Sequence, residues 1–205
     1  MKKKIDELIN VDRNVLVFLI VICIIGIITG SVFMTILSNN DKQSIISSLN
    51  SFITNIGQIN TKYELINNLV INLLYILIIW ILGISIIGIP IVIFLLFFKS
   101  YILSFTISSF IFEYKTKGIL LATIYTMPHL IINLVVYLYL GVYSIKLSSY
   151  IIKCITKKKT IDFKYIINKY IQVLIISIIM IIITTIYQTY IMPILLKKVL
   201  VLINI

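Results

Sequence analysis

The stretch "MPHLIINL", residues 127–134, holds the chain's only histidine, His129. A lone imidazole in an apolar run suits a general acid–base, a proton carrier or a metal ligand, according to its neighbours. A proton relay needs acidic partners at the same depth. The seven acids, Asp6, Glu7, Asp12, Asp41, Glu64, Glu113 and Asp162, all lie near the ends of apolar spans or in loops. A metalloprotease helix needs H-E-x-x-H, which one histidine cannot supply. Intramembrane aspartyl chemistry needs two facing carboxylates, and a hydrolase elbow needs G-x-S-x-G, which does not occur. No P-loop, dinucleotide fingerprint or zinc spacing is found, and Cys23 and Cys154 have no spacing for a metal or a disulfide framework. The sequence therefore predicts no catalytic residue, no metal and no cofactor.

A structural role remains for the histidine. Pro128 removes a backbone donor and kinks a helix, freeing carbonyls near residue 124. Asn133 stands one turn after His129 on the same helical face. Pro128, His129 and Asn133 are expected to form a polar brace that satisfies freed backbone groups and bonds a neighbouring helix.

The elements that must hold this brace are membrane helices. Of 205 residues, 60% are hydrophobic and only 12% charged, whereas a soluble domain is nearer a quarter charged. Eighteen Lys and Arg give a net charge of +11. They cluster beside apolar spans, a topology signal rather than a nucleic-acid surface. Tyr75, Tyr101, Tyr187 and Tyr190 lie near span ends, where aromatic residues anchor the interface.

The expected fold is all-α, a polytopic helical bundle of about five transmembrane helices. A charged segment (1–14) precedes an uncleaved first span (15–37), in which Gly26 and Gly30 make a small-xxx-small pair for close packing. Residues 38–68 form the longest polar segment. Within it Ile45, Ile46, Leu49, Phe52, Ile53 and Ile56 recur at helical spacing opposite serines and asparagines, with Gly57 as the stop. That amphipathic helix can lie on the membrane or dock a partner, and Ile45, Leu49, Phe52, Ile53 and Ile56 are the docking candidates. Residues 69–112 are too long for one crossing, so they fold back near "GIP" at 88–90. Their second half carries Lys99 and several serines and is read as packed inside or re-entrant, with snorkelling of Lys99 as the other reading. An outer loop (113–118), a fourth span (119–147), a basic loop (148–170), a fifth span (171–195) and a tail (196–205) complete the layout.

Five spans place the termini on opposite sides. With the amino terminus inside, twelve Lys and Arg fall inside and six outside, so a cytoplasmic N-terminus and an outside C-terminus are expected.

In this layout the chain resembles the stage II sporulation protein M family. The resemblance rests on the basic start before one span, "NNLVINLLY" at 67–75, a glycine-bearing second span, and "MPHLIINL" at 127–134. The family's Pro-His-Gly segment, with a Glu four residues after the His, is matched at Pro128 and His129. Leu130 replaces the Gly and Asn133 the Glu; Lys99-Ser100 stands where an Asn-Gly is frequent. The resemblance implies a non-enzymatic scaffold that recruits and localises peptidoglycan-degrading enzymes during forespore engulfment. It implies stage II sporulation proteins D and P as partners, and the mother-cell and septal membrane as location. Membrane lipid is the other expected partner, nucleic acid is not one, and self-association stays open. The alternative is a small permease or channel subunit, with Lys99, His129, Asn133 and Gln188 lining a polar path.

Overall fold

Runs of Ile, Leu and Val interrupted by Gly, Pro and short polar stretches fold into helices throughout. The computed structural model describes residues 13–56, 61–127, 129–157 and 163–202, and among these there is no strand. Pro128, Gly57 and residues 158–162 of the basic loop lie outside the described residues, as does nearly all of the charged amino-terminal segment. The helices are α1 (Arg13–Ile36), α2 (Asn39–Asn55), α3 (Thr61–Gly83), α4 (Gly88–Thr126), α5 (His129–Lys157), α6 (Phe163–Ile186) and α7 (Met192–Leu202). A π-helical turn, Tyr187–Ile191, joins α6 to α7. Among the described residues five stretches are long and apolar enough to cross a bilayer: α1, α3, α4, α5 and the continuous α6–π–α7 rod. The chain is a multi-pass helical membrane protein.

Local chemistry sets the boundaries. Ser38 caps α2, its hydroxyl accepting from the Asp41 backbone N–H. The chain reverses over residues 84–87, so Gly88 starts α4 and Pro90 falls in its first turn, where a missing N–H costs nothing. The loop expected at 113–118 is compressed into one residue. Lys115 alone departs from helical geometry (φ 52°, ψ −126°), and residues 116–126 return along the segment just traversed. The return is close: a Cβ on Gly118 would collide with the Phe110 carbonyl oxygen.

Lipid tails are as apolar as leucine, so helices in a bilayer are held by close packing and polar contacts rather than by exclusion from water. Gly26 and Gly30 serve the first purpose. An added Cβ at Gly26 would lie 2.6 Å from the Phe97 carbonyl oxygen, and one at Gly30 would strike the Tyr101 carbonyl. The backbones of α1 and α4 therefore touch. Helix α5 runs through the middle, with α1, α3, α4 and α6 around it. In its most apolar stretch 56% of residues are buried, against 17–33% in the other spans. The main core gathers there, around Leu19, Ile76, Ile79, Leu96, Tyr137, Leu140 and Ile181.

A second core stands apart at the α2 end of the bundle. Phe110, Leu121, Ala122, Met192, Leu196 and Leu200 form it, and Leu49, Phe52, Ile53 and Ile56 of α2 pack onto it. The segment expected as a tail after residue 195 is thus helical, with Met192, Leu196 and Leu200 at i, i+4 and i+8 on its buried side. We call this assembly the cap.

Candidate functional site

One face of α5 carries five buried residues with polar groups. His129, Asn133, Tyr137, Ser144 and Ser148 recur at spacings of four, four, seven and four, which keep them on one side of the helix. Each of the last four is paired with a neighbour. The Thr184 hydroxyl of α6 donates to Asn133 Oδ1 at 2.5 Å. The Tyr137 hydroxyl donates to Asn72 Oδ1 of α3 at 3.0 Å. Ser144 donates to the Ile79 carbonyl at 3.0 Å and shares a 2.8 Å bond with the Tyr170 hydroxyl, which also reaches the Trp80 carbonyl at 2.7 Å. Ser148 Oγ lies 2.8 Å from the carbonyls of both Gly83 and Ser85. These bonds tie α5 to α3 and α6 along its length.

His129 differs. It is only 1% exposed, at the first position of α5, and neither ring nitrogen has a hydrogen-bond partner among the described residues. Its neighbour is the Tyr125 ring, edge-on at 6.0 Å. Of the expected brace, Asn133 bonds a neighbouring helix, His129 makes no polar bond among the described residues, and Pro128 lies outside them. The physical reason is position: α5 begins at His129, so the ring packs under Tyr125 instead of facing the carbonyls freed by a kink within a helix.

Above His129 a cleft of about 480 Å³ opens between α2, the start of α3, Tyr125 and the π turn. Ser48, Ser51, Asn55, Asn68, Gln188 and Thr189 give it polar walls, with Glu64 the one charged group among the described residues, and Phe52, Ile56, Tyr125, Met192 and Pro193 supply the apolar remainder. The Thr189 hydroxyl is buried without a partner among them. π-Turns shift the register of a helix and concentrate at functional positions. Here the turn delivers Gln188 and Thr189 to the cleft while Met192 enters the cap core. Hydroxyls and amides with one carboxylate can bind a polar or cationic group by hydrogen bonding.

The docking candidates of α2 sit across this cleft. Leu49, Phe52, Ile53 and Ile56 turn inward onto the cap, with Phe52 edge-on to Tyr125 at 5.5 Å. Asn50 beside them accepts from the Tyr114 hydroxyl. Ile45, half-buried nearer the start of α2, lies outside that core. Leu49, Phe52 and Ile53 are half-buried there and Ile56 is buried, so the chain itself covers part of this apolar face.

Lys99 neither snorkels nor joins the cleft. Its ammonium lies over the rings of Tyr75, 4.7 Å from the centroid, and Tyr137, at 5.6 Å. The Tyr75 hydroxyl donates to the Leu95 carbonyl. Of the polar path read through Lys99, His129, Asn133 and Gln188, Lys99 lies beside Tyr137 and Gln188 lines the cleft; past Tyr137 the same face of α5 continues with fully buried Leu140 before Ser144.

Sequence reasoning missed Asn72, Tyr137, Tyr170, Thr184 and the π turn. Asn72 and Tyr75 fall within "NNLVINLLY", so one signal was visible: an asparagine mid-span must find a partner. Nothing in the sequence marks the π turn. A sequence profile of the family described as Stage II sporulation protein M matches residues 16–193. No curated protein and no solved structure matches the chain.

Proposed function

The chain belongs to the stage II sporulation protein M family, and from that membership we propose that it is a non-enzymatic scaffold. It recruits and localises peptidoglycan-degrading enzymes during forespore engulfment, in the mother-cell and septal membrane. The family match over residues 16–193 is the observation that carries this reading. Stage II sporulation proteins D and P are the proposed partners. The orientation that agrees with the lysine distribution puts residues 84–87 and the basic loop inside and the cap outside. On that orientation the cap is the extracytoplasmic face, and α2 with its polar cleft is the recruiting surface. Leu49, Phe52, Ile53 and Ile56 hold α2 in place, and Ile45 with the cleft-lining serines meets the partner.

The interior favours a scaffold over a permease, because paired hydrogen bonds and fully buried Leu140 suit a rigid bundle. The test is co-purification from sporulating cells with a tagged full-length chain. Wall hydrolases are expected with wild type and are expected to be lost with Ile45→Asp/Ser51→Arg at unchanged chain abundance. Recovery of no hydrolase with wild type, under conditions that preserve membrane complexes, overturns the proposal.

A further inference from the structure

Lys99 raises a question that the scaffold reading does not absorb. It is eleven residues into α4, roughly 16 Å along the helix from Gly88 at 1.5 Å per residue, about half of a 30 Å hydrocarbon core. An ammonium at that depth is costly and needs compensation. The described compensation is aromatic only: the faces of Tyr75 and Tyr137. Such contacts give about 1–2 kcal/mol when desolvated, far less than the several kcal/mol of removing a charge from water.

Among the described residues no carboxylate completes the site. Asp41, Glu64 and Glu113 stand at the cap end, and Asp6, Glu7, Asp12 and Asp162 belong by sequence to the flanking polar segments. A second copy meets the same limit, since it too has no acid at this level. Lipid phosphates lie at the bilayer surface, and the Lys99 side chain is turned onto the rings. Yet the site is not sealed. Lys99 and Tyr75 are only half-buried, and beside them Ile71, Leu74 and Ile78 of α3 and Ile102 of α4 are exposed. The ammonium therefore sits at the lipid-facing edge of the α3–α4 pair, framed by apolar side chains.

We propose that the α3–α4 edge at Lys99 is a docking site for a transmembrane helix of another protein that carries an Asp or Glu at mid-membrane depth. The carboxylate pairs with Lys99 Nζ, and the apolar rim packs against the flanking turns of that helix. Charge complementarity selects the occupant: a helix without an acid leaves the ammonium where it is, and one with a lysine is repelled. This deepens the recruitment reading, because it assigns a membrane-embedded contact to a recruited partner. It rests on that reading only for the partner's being a wall-enzyme component.

The experiment uses the full chain in native membranes with a photo-cross-linking amino acid at Ile102. The expected result is an adduct to a transmembrane segment bearing a carboxylate, falling at least about tenfold with Lys99→Met, as loss of one member of a desolvated pair requires. Lys99→Glu is expected to abolish the adduct, and Lys at the partner's acidic position to restore it. Purified Lys99→Met chain is expected to melt at or above the wild-type temperature, because a buried charge has been removed. Four outcomes overturn the proposal: an adduct unchanged in Lys99→Met, an adduct only to a second copy, an adduct only to lipid, or a chain whose melting drops while its adduct persists. If the adduct behaves as expected but joins a protein unrelated to wall hydrolysis, the docking site stands and recruitment falls. Where hydrolases co-purify equally with Lys99→Met and with wild type and the adduct is also unchanged, the first of these four outcomes, recruitment stands and the docking site falls.

Discussion

At the residue scale, the two polar residues of "MPHLIINL" have opposite situations and should respond oppositely to mutation. Asn133 accepts from Thr184 across helices, whereas both nitrogens of His129 are buried without partners among the described residues. A buried polar group without a hydrogen bond costs free energy that an apolar group of similar size does not. His129→Leu is therefore expected to leave thermal stability in detergent unchanged or raised. Asn133→Ala is expected to lower it by about 1 kcal/mol, the scale of an interhelical hydrogen bond plus a small cavity. A large loss from His129→Leu would show that the imidazole holds a bond the fold depends on. The importance of this segment was legible in the sequence, because a histidine and an asparagine in an apolar run must be explained. Their partners were not legible: Thr184 lies 51 residues from Asn133, and single-sequence reasoning has no access to such pairings.

At the element scale, Gly26 and Gly30 decide how close α1 approaches α4. Their spacing was readable as a packing pair, since small residues four apart make a flat strip on a helix. The partner surface, the backbone from Phe97 to Phe105, was not readable, because any of four other spans offered an apolar face. Gly30→Val is expected to separate the two helices at a cost of about 1–3 kcal/mol, the range for overpacking. Thermal unfolding of the purified variant measures it, and an unchanged midpoint would mean that α1 shifts freely. Helix α2 gives the complementary lesson. Its amphipathic spacing predicted a helix, and Asn39–Asn55 is one, but amphipathicity cannot say which surface the apolar side meets. The apolar surface it meets comes from the ends of segments read as the third, fourth and fifth spans together with the segment read as a tail, brought together by a reversal at Lys115 and by the π turn.

At the scale of the whole molecule, the number of crossings follows from length and hydropathy, so the helical bundle was legible early. The division into a membrane core and a cap was not, because no composition shift separates them. Orientation is directly testable. In a chain with Cys23→Ser and Cys154→Ser, a membrane-impermeant maleimide added to intact cells is expected to label Ser47→Cys on α2 and not Ser85→Cys in the opposite turn. The reverse pattern would place the cap inside and remove the recruiting face from the wall. The central position of α5 has a further consequence, for biogenesis. Its polar face is satisfied from both directions in time: Asn72, Ile79 and Gly83 are synthesised before it, Tyr170 and Thr184 after it. A nascent chain ending at the basic loop would hold α5 with its bonds to Tyr170 and Thr184 unmade. Release of α5 into place thus waits on the last crossing, and a ribosome stalled before residue 184 leaves a product that membrane quality control should recognise and degrade.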